Sequence, residues 1–280
     1  MMINYEKDAW KTQAGYKLLD RFKLTGKKAF VTGGAGGIGR NVAAGFAEAG
    51  ADVALVDIPS QKENLDKLCQ EMHEKYGTKI VPICCDVSSV DDVAHMKETL
   101  LSELGTVDVA FINAGIADGV NDNPDISPED WNKIISVNLT GAQLTSQVAH
   151  QIMREHKHGG SIIFTSSMTS LITNEYEGIP TTVLTYGATK SGINQLCRAL
   201  AANLAKDNIR CNAIAPGYVW SGIMDGRMPD EFHEYFCKRI PMQRFGRNDE
   251  MQGLVLFLAS DASSYVTGAI IPIDGGYTVF

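Results

Sequence analysis

The chain has 280 residues, a formal net charge of -8 and an isoelectric point near 5.3, with 44% hydrophobic and 21% charged residues. This composition is that of a globular protein and excludes a disordered chain, and the acidic balance argues against a nucleic-acid-binding protein, which presents a basic surface to phosphates. No N-terminal apolar segment resembles a signal peptide, and no apolar run approaches the roughly 18 to 20 residues of a membrane helix, so we expect a cytoplasmic protein.

Short apolar runs alternate with amphipathic stretches along the chain. The runs occupy 28–32, 52–57, 80–84, 107–113, 161–166, 209–215 and 269–274. The amphipathic stretches lie near 38–49, 61–76, 89–104, 128–155, 186–206 and 247–259. Most runs are continuously apolar, which is typical of strands buried on both faces. The pattern predicts a single-domain, Rossmann-type α/β fold over 25–280, with a doubly wound parallel sheet of seven strands and helices on both faces, after an N-terminal extension over 1–24.

Six cysteines are spread along the chain without a C-x-x-C pair or a Cys/His cluster that has zinc spacing. We therefore expect reduced thiols, buried or half-buried, and no metal site. They are Cys69, Cys84, Cys85, Cys197, Cys211 and Cys237.

A glycine-rich turn follows the first predicted strand and opens the first helix. Residues 32–39 have the spacing T-G-x-x-x-G-x-G. Glycine lets the backbone approach a pyrophosphate closely, and the helix N-terminus directs N–H groups and a positive dipole end at the phosphates. We predict that Gly33, Gly37, Ile38 and Gly39 bind a dinucleotide.

The end of the second predicted strand carries Asp57. A carboxylate at this position accepts hydrogen bonds from the adenosine ribose hydroxyls and repels a 2′-phosphate. No Lys or Arg lies in the glycine turn before Gly37, and residue 58 is Ile. The sequence therefore favours NAD over NADP.

Polar and small residues follow the third and fourth predicted strands. They are Asp86 and Val87 after the third strand, and Asn113, Ala114 and Gly115 after the fourth. Ligands bind at the carboxyl ends of strands in open α/β sheets, so these residues are further candidates for cofactor binding, although each is also compatible with ordinary turn chemistry.

A tyrosine and a lysine stand four residues apart, Tyr186 and Lys190, on a predicted helix. That spacing puts both side chains on one helix face. A nearby ammonium favours the phenolate and lowers the pKa of the tyrosine towards neutral pH, where it can exchange protons. The fifth predicted strand ends in two serines, of which Ser167 can donate to a substrate oxygen; Ser166 is the alternative, because one register step exchanges the two faces.

Asn138 lies in the middle of a predicted helix, where its propensity is poor. It is either a hydrogen-bonded core amide or the holder of a water behind Lys190 that serves as a proton relay.

These motifs, in this order, resemble the short-chain dehydrogenase/reductase family from about Leu24 to the C-terminus. The resemblance implies a catalytic tetrad of Asn138, Ser167, Tyr186 and Lys190, with Tyr186 and Lys190 also touching the cofactor. It implies that Pro216, Gly217 and Val219 border the nicotinamide, with Ser221 in place of the family's usual threonine. It also implies a homodimer or homotetramer, with neither nucleic acid nor membrane as partner.

The connection 168–185 is longer than in most members of the family, and together with the N-terminal extension it is similar to the sugar, polyol and sugar-acid dehydrogenases. We therefore predict an NAD-dependent oxidoreductase for a small alcohol and ketone of that kind, with substrate contacts from 168–180 and 218–240. A steroid, an acyl thioester or an aromatic alcohol is the alternative substrate, and a non-catalytic dinucleotide-binding module is the alternative function.

Overall fold

The computed structural model describes residues 17–117, 125–173, 184–220 and 230–279 and contains a seven-stranded sheet. Its strands are β1 Lys28–Thr32, β2 Asp52–Asp57, β3 Ile80–Cys84, β4 Val109–Ile112, β5 Gly160–Thr165, β6 Ile209–Pro216 and β7 Ile270–Ile273. They are ordered β3-β2-β1-β4-β5-β6-β7, and every neighbouring pair is parallel. The order reverses between β1 and β4, so the crevice at their carboxyl ends is where ligands bind in such sheets.

Helices cover both faces of the sheet. They are α1 Gly37–Glu48, α2 Lys62–Tyr76, α3 Val90–Leu104, α4 Pro128–Ile135, α5 Gly141–His156, α6 Leu184–Leu204, α7 Asp230–Arg239 and α8 Gln252–Ala259. Buried side chains of α3, α5 and α6 form one apolar core with the sheet, and those of α1, α2 and α8 form the other. The predicted fold class is confirmed.

Alternating side chains of each central strand enter opposite cores. Phe30 of β1 lies in the first core, whereas Ala29 and Val31 lie in the second. This two-residue period is the geometry of a strand, and burial on both sides explains why the sequence of the strand is apolar throughout. Cys84 and Cys85 likewise pack against different cores, as their adjacency predicts.

Two features differ from the predicted elements. The stretch 128–155 is divided by a π-helical turn, Ser136–Thr140, which lies between α4 and α5. Helix α7 was not predicted, because Tyr235, Phe236 and Cys237 pack on a small separate cluster and not on the sheet, and a ten-residue stretch gives a weak periodic pattern. The start of α4 follows its prediction, since Ser127 caps it and Pro128 is its first residue.

The segment before β1 packs against the end of α8. Leu24 is fully buried, and the rings of Phe22 and Phe257 lie 6.3 Å apart. Division of the chain at residue 24 stays a prediction. Within the described ranges, no helix is both long and apolar enough to span a membrane, and no group of three or more His, Cys, Asp or Glu side chains is placed to hold a metal ion.

Candidate active site

The glycine turn between β1 and α1 is packed so closely that side chains would not fit. Gly33 has a φ of +66°, and a Cβ there would stand 2.9 Å from Nδ2 of Asn113. A Cβ on Gly39 would overlap the carbonyl oxygen of Gly33. Helix α1 begins at Gly37 after the N-cap Gly36, with neither a side-chain cap nor an acidic residue in its first turn. Its N–H groups and dipole are thus left for an anion, and the turn fits a dinucleotide diphosphate.

The carboxylate of Asp57 joins the end of β2 to this turn. One oxygen accepts a hydrogen bond from the Ala35 N–H at 2.9 Å, and the other accepts from the Ile58 N–H at 2.8 Å. The backbone therefore fixes the carboxylate beside the glycine turn. Each carboxylate oxygen can accept more than one hydrogen bond, so these two contacts leave capacity for a hydroxyl ligand.

Asp86 and Val87 stabilise the turn after β3. Oδ1 of Asp86 accepts hydrogen bonds from the N–H and the hydroxyl of Ser88, at 2.9 and 2.7 Å. Val87 is buried, and its side chain occupies the space where a Cβ on Gly141, at the start of α5, would lie. Turn chemistry therefore accounts for one oxygen of Asp86.

Asn113 joins the carboxyl ends of three strands. Its backbone N–H donates to the Thr32 hydroxyl at 2.9 Å, and its Nδ2 donates to the Thr32 carbonyl at 3.1 Å. Its Oδ1 accepts from the Thr165 hydroxyl at 3.0 Å, and the Ala114 N–H donates to the Thr32 hydroxyl at 3.1 Å. This side chain holds the ends of β1, β4 and β5 together.

Lys190 is buried beneath Tyr186. Only 2% of its surface is exposed, and its ammonium lies 5.4 Å from the centroid of the Tyr186 ring. Nζ donates a hydrogen bond of 2.7 Å to the Thr165 carbonyl at the end of β5. Burial lowers the pKa of Lys190 from 10.5 to about 8. The ammonium therefore still carries its charge at neutral pH, close to the phenol.

Asn138 lies in the π-helical turn and holds the loop after β4. Its Oδ1 accepts from the Ile116 N–H and its Nδ2 donates to the Ile116 carbonyl, both at 2.8 Å. A Cβ on Gly115 would lie 3.3 Å from Oδ1 of Asn138 and 3.5 Å from Nζ of Lys190. Asn138 is thus a hydrogen-bonded core amide, and the backbone of Gly115 lies beside both polar groups.

The two serines at the end of β5 have different surroundings. Ser166 is 1% exposed, and its hydroxyl donates to Oδ1 of Asn194 on α6 at 2.6 Å. The hydroxyl of Ser167 instead accepts from the N–H and the hydroxyl of Thr169, at 3.2 and 2.9 Å. Ser166 therefore faces the helix, and Ser167 faces the turn that follows the strand.

The segment after β6 returns to the same edge of the sheet. Pro216 ends β6, and a Cβ on Gly217 would lie 2.7 Å from the backbone of Asp274. Val219 is buried and forms a parallel bridge with Gly246. Ser221 lies outside the described residues, as do 174–180 and 221–229 of the predicted substrate-contact segments.

Comparison with known proteins places the chain in a family. A family model described as enoyl-(acyl carrier protein) reductase matches residues 33–278. Over 264 residues the chain is 38% identical to a sorbose reductase of Candida albicans, covering 93% of this chain and 90% of that protein. A crystal structure of a short-chain type dehydrogenase/reductase from Mycobacterium marinum shares 40% identity and a TM-score of 0.87, covering 94% of this chain and 99% of that one.

The chain belongs to the short-chain dehydrogenase/reductase family. It is also 38% identical, over 266 residues, to an NADP-dependent mannitol dehydrogenase of Alternaria alternata, covering 94% of this chain and 96% of that protein. As a short-chain dehydrogenase/reductase it is an oxidoreductase that acts on alcohol groups with a nicotinamide dinucleotide.

Sequence reasoning missed an aromatic cluster next to residues 167–170, the serine turn that follows β5 in this short-chain dehydrogenase/reductase. Tyr218 stacks on Phe236 of α7 at 4.5 Å and on Phe245 at 5.2 Å, and meets Tyr277 edge-on at 5.4 Å. Met168, which follows Ser167, belongs to the same buried cluster. Residues 217–220 contain two aromatic side chains directly after a strand, and this local pattern indicates an apolar cluster at the end of β6.

The buried ammonium predicts how stability depends on pH in the wild type and in Lys190→Met. Because the pKa of Lys190 is about 8 in the folded protein and 10.5 ordinarily, the folded state releases this proton first as pH rises. The unfolded state then binds more protons, so the free energy of unfolding of the wild type should rise relative to that of Lys190→Met between about pH 8 and 10.5. Urea unfolding at several pH values measures this difference, and a constant difference across that window would contradict the prediction.

Proposed function

We propose that this short-chain dehydrogenase/reductase is an NAD(H)-dependent enzyme that interconverts a secondary alcohol and a ketone of a sugar, polyol or sugar acid. The observation that carries the proposal is the placement of Lys190, whose ammonium lies 5.4 Å from the Tyr186 ring and donates to the Thr165 carbonyl just before the serine turn. This contact supports the proposal because it joins the helix of Tyr186 and Lys190 to the end of β5, at the edge of the sheet where the glycine turn lies.

Tyr186 acts as the general acid or base in this proposal. The ammonium of Lys190 favours the phenolate, so that the phenol exchanges a proton with the substrate oxygen near neutral pH. A bound nicotinamide supplies the hydride acceptor or donor. The backbone of Gly115 lies beside both Asn138 and Lys190, and in this proposal a water at that position links the ammonium to solvent and restores the proton.

Ser167, and not Ser166, is proposed to donate to the substrate oxygen. The hydroxyl proton of Ser166 is used by Asn194 inside the fold. The oxygen of Ser167 accepts two hydrogen bonds from Thr169, and among the described residues its own proton has no acceptor. A hydroxyl that accepts from the protein and keeps its proton is suited to hold a carbonyl or alkoxide oxygen.

The preference for NAD is carried by the residues at the end of β2. Asp57 is held beside the glycine turn by two backbone N–H groups, and the next residue is Ile58. The mannitol dehydrogenase compared above is named as NADP-dependent, so the proposal is supported by this carboxylate and not by the relatives. The negative charge of Asp57 would lie close to the 2′-phosphate of NADP, and an unfavourable pair of like charges costs several kcal/mol.

We therefore expect Asp57→Ser to change the cofactor preference. The wild type should show a higher kcat/KM with NAD than with NADP, and the variant should reduce this ratio by about ten- to hundredfold as charge repulsion is removed. Initial rates over a range of concentrations of each cofactor, at one substrate concentration, measure the ratio of the two kcat/KM values. Asp66→Ser, which removes an exposed partner of Lys62 on α2, is the control. A wild-type preference for NADP would contradict the proposal.

The substrate class is supported by the relatives named as a sorbose reductase and a mannitol dehydrogenase. A panel of polyols, ketoses and sugar acids, assayed by the absorbance of reduced nicotinamide with each cofactor, tests it. An acyl thioester should be included, because the matching family model is described as an acyl carrier protein reductase. Turnover of the thioester alone would overturn the sugar assignment. Tight NADH binding without turnover on any substrate would favour the non-catalytic module.

The functional roles given to Gly33, Gly37, Ile38, Gly39, Asp86, Val87, Asn113, Ala114, Gly115, Pro216, Gly217, Val219 and Ser221 stay predictions of cofactor contact. The cytoplasmic compartment and the homodimer or homotetramer also stay predictions.

A further inference from the structure

Asn194 occupies the same face of α6 as Tyr186 and Lys190. The three residues stand four positions apart along the helix, which places them one above another. Asn194 is 4% exposed, in a helix interior where asparagine has poor propensity. A buried amide at such a position is costly unless its oxygen and nitrogen are both hydrogen-bonded, so its partners indicate its role.

A chain of hydrogen bonds leads from this amide to the backbone of Ser167. The Ser166 hydroxyl donates to Oδ1 of Asn194 at 2.6 Å, and Nδ2 of Asn194 donates to the Ser170 hydroxyl at 2.8 Å. The Ser170 hydroxyl in turn donates to the carbonyl oxygen of Ser167 at 2.5 Å. The three donors use different protons, so all three bonds can exist together.

This chain connects the helix that carries the tyrosine to the turn that carries the serine. A second connection is the bond from Lys190 to the Thr165 carbonyl, which depends on a titratable group. The bonds of Asn194 join neutral groups. They reach Ser166 and Ser170, which stand on either side of Ser167. They therefore tie the residues on either side of Ser167 to α6 without depending on the charge of Lys190.

We propose that Asn194, acting through Ser166 and Ser170, is a positioning residue that sets the distance between the hydroxyls of Ser167 and Tyr186. This rests on the function proposed above. Asn194 touches neither reacting group; it holds the serine turn in register with α6. Loss of this register displaces a hydrogen-bond donor at the reacting oxygen, and a displacement of about 1 Å at such a position can slow a reaction about hundredfold.

The test compares Asn194→Leu with Asn203→Leu, on whichever substrate the wild type turns over. Asn203 lies on the same helix, is exposed, and donates only to the Ala199 carbonyl within the described residues, at 2.8 Å. Asn194→Leu should lower kcat by about ten- to hundredfold with little change in the Kd for NADH, since the serine and not the cofactor is displaced. Asn203→Leu should leave kcat unchanged. A primary deuterium isotope effect on kcat should increase in Asn194→Leu, because the chemical step becomes slower.

A double variant separates positioning from stability. Ser166→Ala with Asn194→Leu removes both polar partners, which should restore much of the melting temperature that the single variant loses. If kcat stays low while the melting temperature recovers, positioning is supported; if kcat recovers with it, Asn194 is only structural and the proposal fails.

A second variant keeps the test decisive if Asn194→Leu does not fold. Ser170 is half-buried, and Ser170→Ala breaks the same chain of hydrogen bonds, so a wild-type kcat in Ser170→Ala would also overturn the proposal. Absence of turnover in the wild type would instead refute the proposed function.

Discussion

Tyr186→Phe is expected to lower kcat by about 10²- to 10⁴-fold, the usual contribution of a general acid or base. The variant removes one oxygen atom and keeps the ring that lies over the Lys190 ammonium. The fold should therefore be unchanged and NADH should bind almost as tightly, because the phenol proton is lost while the glycine turn stays intact. Single-turnover kinetics and NADH fluorescence titration measure the two effects separately.

Tyr265→Phe is the matched control for this experiment. Tyr265 is fully exposed, near the loop that leads into β7 and away from the carboxyl edge of the sheet. Its variant should turn over substrate at the wild-type rate. Substantial activity in Tyr186→Phe would reject the acid–base role of Tyr186, whatever the substrate.

Gly39→Ala should have the largest effect on cofactor binding. Its added methyl group would overlap the carbonyl oxygen of Gly33, which is backbone and cannot rotate away. Gly33 is itself at a φ of +66° and packed against Asn113, so the turn has little freedom to adjust. We expect a loss of about 1 to 3 kcal/mol in the free energy of unfolding, the usual cost of overpacking, together with a large loss of dinucleotide affinity.

Gly45→Ala provides the control on the same helix. A Cβ there would meet Gln252 at 3.5 Å, which is an ordinary contact. Since alanine favours a helix interior over glycine by about 0.5 to 1 kcal/mol, this variant should be as stable as the wild type or more stable, with unchanged NADH affinity. Thermal unfolding and NADH titration of both variants test the prediction. Wild-type binding by Gly39→Ala would show that the turn does not hold the cofactor.

The sequence located most of the sheet because its strands are continuously apolar over short runs. The predicted runs 28–32, 52–57 and 80–84 coincide with β1, β2 and β3. A strand that is buried on both faces has a continuously apolar sequence, and this pattern can be recognised without knowing which distant residues pack on it. The same holds for the glycine turn, whose spacing is a property of eight consecutive residues.

Local patterns could not predict contacts between residues that are far apart in the sequence. Ser166 and Asn194 are separated by 28 positions and meet only because β5 lies beside α6. The choice between Ser166 and Ser167 depended on which hydroxyl faces that helix, and alternation along a strand gives two faces without saying which one is occupied. The π-helical turn around Asn138 was likewise missed, because helical periodicity continues on both sides of it.

The sequence by itself therefore determined the fold class, the strand positions and the residue types available for chemistry, since these follow from local periodicity and from motif spacing. The tertiary structure alone decided that Ser166, and not Ser167, donates its hydroxyl proton to α6. It also decided how deeply Lys190 is buried and where α7 packs. These depend on contacts between residues distant in the chain, whose free energies appear only when the elements are packed together.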